Sequence, residues 1–193
     1  MGWANLITVT RGILTAVLWL VLALAAPAPS PTVYWIAFGL FAFTAITDAV
    51  DGYLARRLGE VSVFGRIADP LVDKLLVLGT MVMVLSLDGM QELLPAWVVT
   101  VILAREVVVT ALRGAVEGKG INFQALPLGK WKMVFQSFAV GLVLLWGAGF
   151  PLAKLSLGED GVNLTQVTVG IAFLLTVVSG IDYGLRATHH LRR

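Results

Sequence analysis

Six apolar runs, separated by short turns and polar connections, dominate this sequence. They extend from Gly12 to about Ala26, Thr32 to Arg57, Ser62 to Leu87, Pro95 to about Ala115, Gly129 to Gly149 and Val162 to Leu185. A helix of about 20 residues crosses the hydrocarbon core of a bilayer. Lipid offers no partner to backbone N–H and C=O groups, so each run is expected to close its hydrogen bonds internally, as a helix. Composition agrees: 58% of the 193 residues are hydrophobic and 13% charged, against roughly 45–50% apolar in a soluble domain. The expected fold is all-α, a polytopic membrane protein with six transmembrane helices and a single domain over residues 1–193.

Local signals set the boundaries. Residues 1–11 mix polar and apolar side chains at spacings that suit a short interfacial amphipathic helix ahead of the first span. Arg11, the apolar run and Ala25–Ala26–Pro27–Ala28 also imitate a signal peptide; the run is read here as a retained span. Gly59 marks a helix end, Ser62 an N-cap, Asp88–Gly89 a turn, and Pro95 the first turn of a helix. With six spans, the N-terminus, the turn near Gly59, the connection from Glu117 to Leu128 and the C-terminus share one side. Of the 14 Lys and Arg, all but Lys154 lie on that side or in the half of a span nearest it, which makes it cytoplasmic by the positive-inside rule.

The absence of cysteine excludes disulfides and thiolate metal sites. The two histidines, His189 and His190, lie in the last five residues, which leaves no imidazole cluster within the apolar runs. No nucleic-acid partner is expected.

Acidic residues inside the apolar runs are the chemical signal. Asp48, Asp51, Asp69 and Asp73 flank the turn near Gly59, and each unpaired aspartate at a bilayer centre costs roughly 2.5–3.5 kcal/mol. On antiparallel helices rising about 1.5 Å per residue, Asp51 and Asp69 lie about 10–12 Å from the turn and Asp48 and Asp73 about 16 Å. Each pair, at i,i+3 or i,i+4, shares a helix face. Four carboxylates at matched depths repel one another unless a cation intervenes. All-oxygen ligation suits a hard divalent ion, Mg²⁺ or Mn²⁺, and four aspartates allow two ions, an arrangement common in phosphoryl chemistry. Gly52, Ala55 and Gly65 leave room for a substrate against backbone, and Arg56 suits a phosphate. The alternative is simple pairing of the aspartates with Arg56, Arg57, Arg66 and Lys74.

The pattern Asp48-x-x-Asp51-Gly52-x-x-Ala55-Arg56, eight residues, then Gly65-x-x-x-Asp69-x-x-x-Asp73 resembles the signature of the CDP-alcohol phosphotransferases, membrane enzymes of phospholipid synthesis. The resemblance implies that the four aspartates are metal ligands, with Asp73 also the general base. It implies that Gly52, Ala55, Arg56 and Gly65 contact the CDP moiety, and that the protein is a homodimer.

The acceptor is a separate question. Arg105 and Arg113 in the fourth span, with Lys130 and Lys132 opening the fifth, suit a phosphate-bearing acceptor. The alternative has Arg105 paired with Glu106 and the others reaching to headgroups. Asn5, Thr8 and Arg11 fall at i, i+3 and i+6, either lining the site or serving as cap and headgroup contacts. Ala104–Arg113, Leu128–Lys132 with Gln136, Asp69–Leu76 and the opening Asn5-Leu-Ile-Thr8-x-x-Arg11 are similar to the bacterial phosphatidylglycerophosphate synthases, with departures at Ala4 and Met133. That similarity implies transfer of a phosphatidyl group from CDP-diacylglycerol to glycerol 3-phosphate, at the cytoplasmic face of a bacterial cytoplasmic membrane, among membrane lipids. Rival readings are the same transfer to inositol phosphate or phosphatidylglycerol, a divalent-cation transporter, and a purely structural membrane protein.

Overall fold

A computed structural model describes residues 3–58, 63–119, 127–157 and 161–191, with side chains for 6–47, 68–119, 129, 131–157 and 161–189. The described residues are helical, apart from turns and an isolated bridge between Ser156 and Asn163. The helices are α1 (Trp3–Ala25), α2 (Pro31–Leu58), α3 (Val63–Lys74), α4 (Thr80–Val84), α5 (Ala96–Glu117), α6 (Pro127–Gly147) and α7 (Leu164–Leu191). A π-helical segment, Leu75–Gly79, joins α3 to α4, and Met90–Glu92 form a 3₁₀ turn. With α3, the π segment and α4 taken as one rod, the described residues make six rods matching the six apolar runs.

The expected interfacial helix does not exist as a separate element: Trp3–Ala25 is one continuous helix. Thr8 and Arg11 turn into the bundle, while Thr10 stays exposed. Thr10 and Thr15 donate to the carbonyls of Leu6 and Arg11, and Thr8, Arg11 and Thr15 are buried. The third run also departs from its expected boundaries. After Val84 the amides of Leu85, Ser86 and Leu87 bond three residues back instead of four, which tightens the chain into a turn ending at Gly89, whose φ of 73° favours glycine. Pro95 caps α5 from an extended conformation instead of opening its first turn.

The π segment is the feature that neither apolar periodicity nor Pro70 announces. It begins directly after Lys74 and ends at Gly79. A Cβ on Gly79 would lie 2.0 Å from the Trp19 ring, so only glycine lets α1 seat its tryptophan there. Packing then fixes the order around the bundle: α1 lies against α2 and the α3–α4 rod, α2 against α6, α6 against α7, and α7 against α5. Leu18, Leu22, Met81, Ile102 and Leu144 lie in the shared core.

One end of the bundle is tied by loop contacts. The Asp88 amide donates to the Pro27 carbonyl at 2.8 Å, and the Gln166 side chain reaches the Glu92 carbonyl at 3.5 Å. The loops after α1, α4 and α6 therefore meet at this end. The starts of α3 and α6 and the ends of α2, α5 and α7 point to the other.

The outer surface is apolar. Ile13, Phe43, Ile46, Val107, Phe138, Leu174 and Ile181 are each more than half exposed, while Arg11, Glu106, Lys132, Gln136 and Thr176 are buried. Soluble proteins show the opposite partition. Among the described residues, two helices are long and apolar enough to cross a membrane, over Leu6–Ala25 and Leu164–His189; Pro31–Thr47 and Trp131–Gly147 are shorter apolar stretches.

Candidate active site

Two polar clusters lie inside this apolar shell. The first is built on α3, whose Asp69 and Asp73 share a face at i,i+4. Across from them α1 presents Thr8 and Arg11, one turn apart. Thr8 donates its hydroxyl proton to Asp69 Oδ1 at 2.5 Å. Arg11 donates from Nη2 to Asp73 Oδ1 and forms an ion pair there. The Arg11 side chain is 3% exposed and that of Asp73 19%, so the arginine is locked in while the carboxylate keeps an open side. Asp48, Asp51, Gly52, Ala55 and Arg56 belong to α2, Gly65 to α3, Asn5 to α1 and Lys130 to α6; their side chains lie outside the described ones.

Among the described residues no three His, Cys, Asp or Glu side chains converge; Asp69 and Asp73 form a pair. Their donor chemistry, two carboxylates on one face and each oriented through a single oxygen, fits a hard divalent ion.

The second cluster joins α5, α6 and α7 around Glu106. Arg105 donates from Nη1 to Glu106 Oε1 at 2.8 Å, and Lys132 donates to the same oxygen. Lys132 is 4% exposed, so it does not reach to the surface. Arg105 also donates from Nη2 to Ser179 Oγ at 3.0 Å, and Gln136 donates to Thr176 Oγ1 at 2.8 Å. Two turns beyond Arg105, Arg113 donates from Nε to the Tyr183 hydroxyl at 2.9 Å, its guanidinium 5.7 Å from the ring centroid. Arg105, Arg113 and Lys132 thus outnumber Glu106, the one carboxylate among the described side chains of this cluster.

Lys74 connects the two. It follows Asp73 in sequence, and its amine donates to Thr110 Oγ1 at 2.6 Å; Thr110 in turn donates to the Glu106 carbonyl at 2.7 Å. The acidic and cationic clusters are therefore neighbours.

Sequence reasoning brought Thr8, Arg11, Arg105, Arg113 and Lys132 forward but left out Ser179, Tyr183 and the sharing of Glu106 by two cations. The signal available was the set of polar residues Thr176, Ser179 and Tyr183 inside an apolar run. Beside the clusters, α2 and α6 enclose an apolar groove of about 470 Å³, lined by Phe38, Phe41, Ile46, Met133, Val134 and Phe138 among others. Its upper wall at Ile46 and Met133 adjoins Asp48 in sequence on one helix and Lys132 on the other.

Comparison with known proteins bears directly on this arrangement. The profile of the CDP-alcohol phosphatidyltransferases matches residues 1–178. The chain belongs to the CDP-alcohol phosphatidyltransferase family. A CDP-diacylglycerol–glycerol-3-phosphate 3-phosphatidyltransferase of Bacillus subtilis (strain 168) is 40% identical over 144 residues, covering 75% of this chain and 69% of the relative. A protein of the same name from Cereibacter sphaeroides is 36% identical over 192 residues, covering 84% and 86%. A probable phosphatidylglycerophosphate synthase of Mycobacterium tuberculosis (strain H37Rv) is 40% identical over 152 residues, 79% of this chain and 66% of that protein.

Proposed function

We propose that this protein transfers the phosphatidyl group of CDP-diacylglycerol to glycerol 3-phosphate, giving phosphatidylglycerol phosphate and CMP. The observation that carries the reading is the adjacency of the two clusters: Asp73, on the acidic side, is followed by Lys74, which is bonded to the helix that bears the cations. A donor pyrophosphate and an acceptor phosphate need such neighbouring sites of different character. The names borne by relatives at 36–40% identity supply the substrate pair.

In this reading Asp48, Asp51, Asp69 and Asp73 hold two Mg²⁺ or Mn²⁺ ions, in keeping with a family that uses divalent metals. When bound, these neutralise charge that develops on the pyrophosphate. Gly52, Ala55, Arg56 and Gly65 contact the CDP moiety. Thr8 and Arg11 orient Asp69 and Asp73, and Asn5 lines the same side. Arg105, Arg113, Lys130 and Lys132 hold the acceptor phosphate. Asp73 accepts the proton of the acceptor hydroxyl as its oxygen bonds to the β-phosphorus, and the bond from that phosphorus to the CMP oxygen breaks. The groove between α2 and α6 receives an acyl chain of the donor, which enters sideways from lipid. The six rods cross the bacterial cytoplasmic membrane with both termini and the site on the cytoplasmic side, and the protein works as a homodimer.

Purified protein supplied with CDP-diacylglycerol, Mg²⁺ and glycerol 3-phosphate is expected to release CMP, and to release none when the acceptor is left out. Absence of CMP with all three present would overturn the reading. Release with inositol phosphate and not glycerol 3-phosphate would reassign the acceptor.

A further inference from the structure

The cations that face the acceptor lie on α5 and α6, yet what holds the two arginines in place lies largely on α7. Ser179 Oγ accepts from Arg105 at 3.0 Å and itself donates to the Thr176 carbonyl at 3.1 Å. This leaves the serine hydroxyl oriented by its own helix. The next residue is Gly180. A Cβ there would stand 2.9 Å from Arg105 Cγ and 3.2 Å from its Nε, so the arginine stem lies directly on the α7 backbone. One turn beyond Ser179, the Tyr183 hydroxyl accepts from Arg113, and its ring lies beneath the guanidinium.

Arg105 and Arg113 are separated by about 12 Å along α5, whereas Ser179 and Tyr183 are separated by about 6 Å along α7. Both helices end at the same end of the bundle, so Ser179 and Tyr183 meet the two arginines in the same order along the chain. Arg105 Nε is buried and makes no hydrogen bond among the described residues; it lies against Gly180, so the α7 backbone covers it.

We infer that the Ser179–Gly180–Tyr183 face of α7 is a positioning surface that sets the enzyme's specificity for a phosphorylated acceptor. It holds Arg105 and Arg113 in the orientation that grips a phosphate monoester dianion. The inference rests on the transferase reading for the identity of the acceptor, but not for the existence of a phosphate site.

The test uses the full chain in detergent, with Ser179→Ala, Gly180→Ala and Tyr183→Phe. Each is expected to raise KM for glycerol 3-phosphate about tenfold, the scale of one lost hydrogen bond to a charged group, and to leave KM for CDP-diacylglycerol unchanged. Ser179→Thr, which keeps the hydroxyl, is expected to restore the acceptor KM. An unchanged acceptor KM in Ser179→Ala and Tyr183→Phe would overturn the inference, as would an equal rise in both KM values, the mark of general loosening. Should Gly180→Ala fail to fold, the other two variants carry the result. Calorimetric titration with inorganic phosphate separates this inference from its parent. Weaker phosphate binding in the variants supports it even if the protein releases no CMP, and equal binding in wild type and variants contradicts it.

Discussion

The acidic and cationic clusters solve the same problem, charge inside an apolar shell, in opposite ways. On the α1–α3 side, each described carboxylate meets a single donor, and the Asp73 side chain keeps 19% of its surface open. On the α5–α7 side a single carboxylate, Glu106, serves two cations, with 9% of its side chain exposed and 5% of that of Lys132. The first arrangement leaves oxygen valence for a ligand that comes and goes. The second is pre-assembled by the protein's own counterion, so its geometry exists before any substrate arrives. Under the proposed function, reaction and recognition thus differ in how much of the site the chain itself completes.

Removing the functional carboxylate from each side breaks this contrast most severely. Asp73→Asn is expected to lower kcat by about 10² to 10⁴-fold, the usual range for a general base, and also to lower the unfolding temperature, because it removes the ion pair made by the buried Arg11. Measured CMP release and thermal unfolding in detergent check both halves. Glu106→Gln is expected to act chiefly on stability. It strands Arg105 and Lys132 in the interior, and breaking a buried ion pair in this way costs about 3–5 kcal/mol of stability. The double variant Glu106→Gln/Lys132→Met is expected to recover part of that loss in the same unfolding measurement, since it removes one stranded charge.

Smaller changes sharpen the comparison. Arg11→Lys keeps the charge but loses the fork that orients Asp73, and is expected to raise the Mg²⁺ concentration for half-maximal activity about 10- to 100-fold, with the acceptor KM unaffected. An equal shift in both would mean that the two clusters do not divide their tasks. Gly79→Ala touches neither cluster. It pushes a methyl into Trp19 and is expected to cost about 1–3 kcal/mol, read as a lower unfolding temperature.

How much of this was legible in the sequence follows from the same contrast. Asp69 and Asp73 lie one turn apart on one helix, so spacing alone sets them on a common face. Thr8 and Arg11 were legible as one helical stripe, but not as the partners of those aspartates, because nothing local specifies which helix α1 meets. The cationic cluster depends on pairs separated by 26, 70 and 74 residues, brought together only by the packing of α5, α6 and α7. The sequence suggested Arg105, Arg113 and Lys132 because charge is conspicuous in apolar runs. It hid Ser179 and Gly180, which are ordinary in a membrane helix. The six rods were legible from hydropathy. The joining of the interfacial segment to the first span, and the π segment after Lys74, were not, since both depend on tertiary contacts to Thr8, Arg11 and Trp19.

The most direct test of a phosphate-selecting cationic cluster beside the aspartate site is the mass of the lipid product. The protein is incubated with CDP-diacylglycerol, Mg²⁺ and equal concentrations of glycerol 3-phosphate, inositol phosphate and glycerol. The account predicts phosphatidylglycerol phosphate as the dominant product, with no phosphatidyl transfer to unphosphorylated glycerol. Transfer to glycerol as readily as to glycerol 3-phosphate, or no new lipid at all, would contradict it.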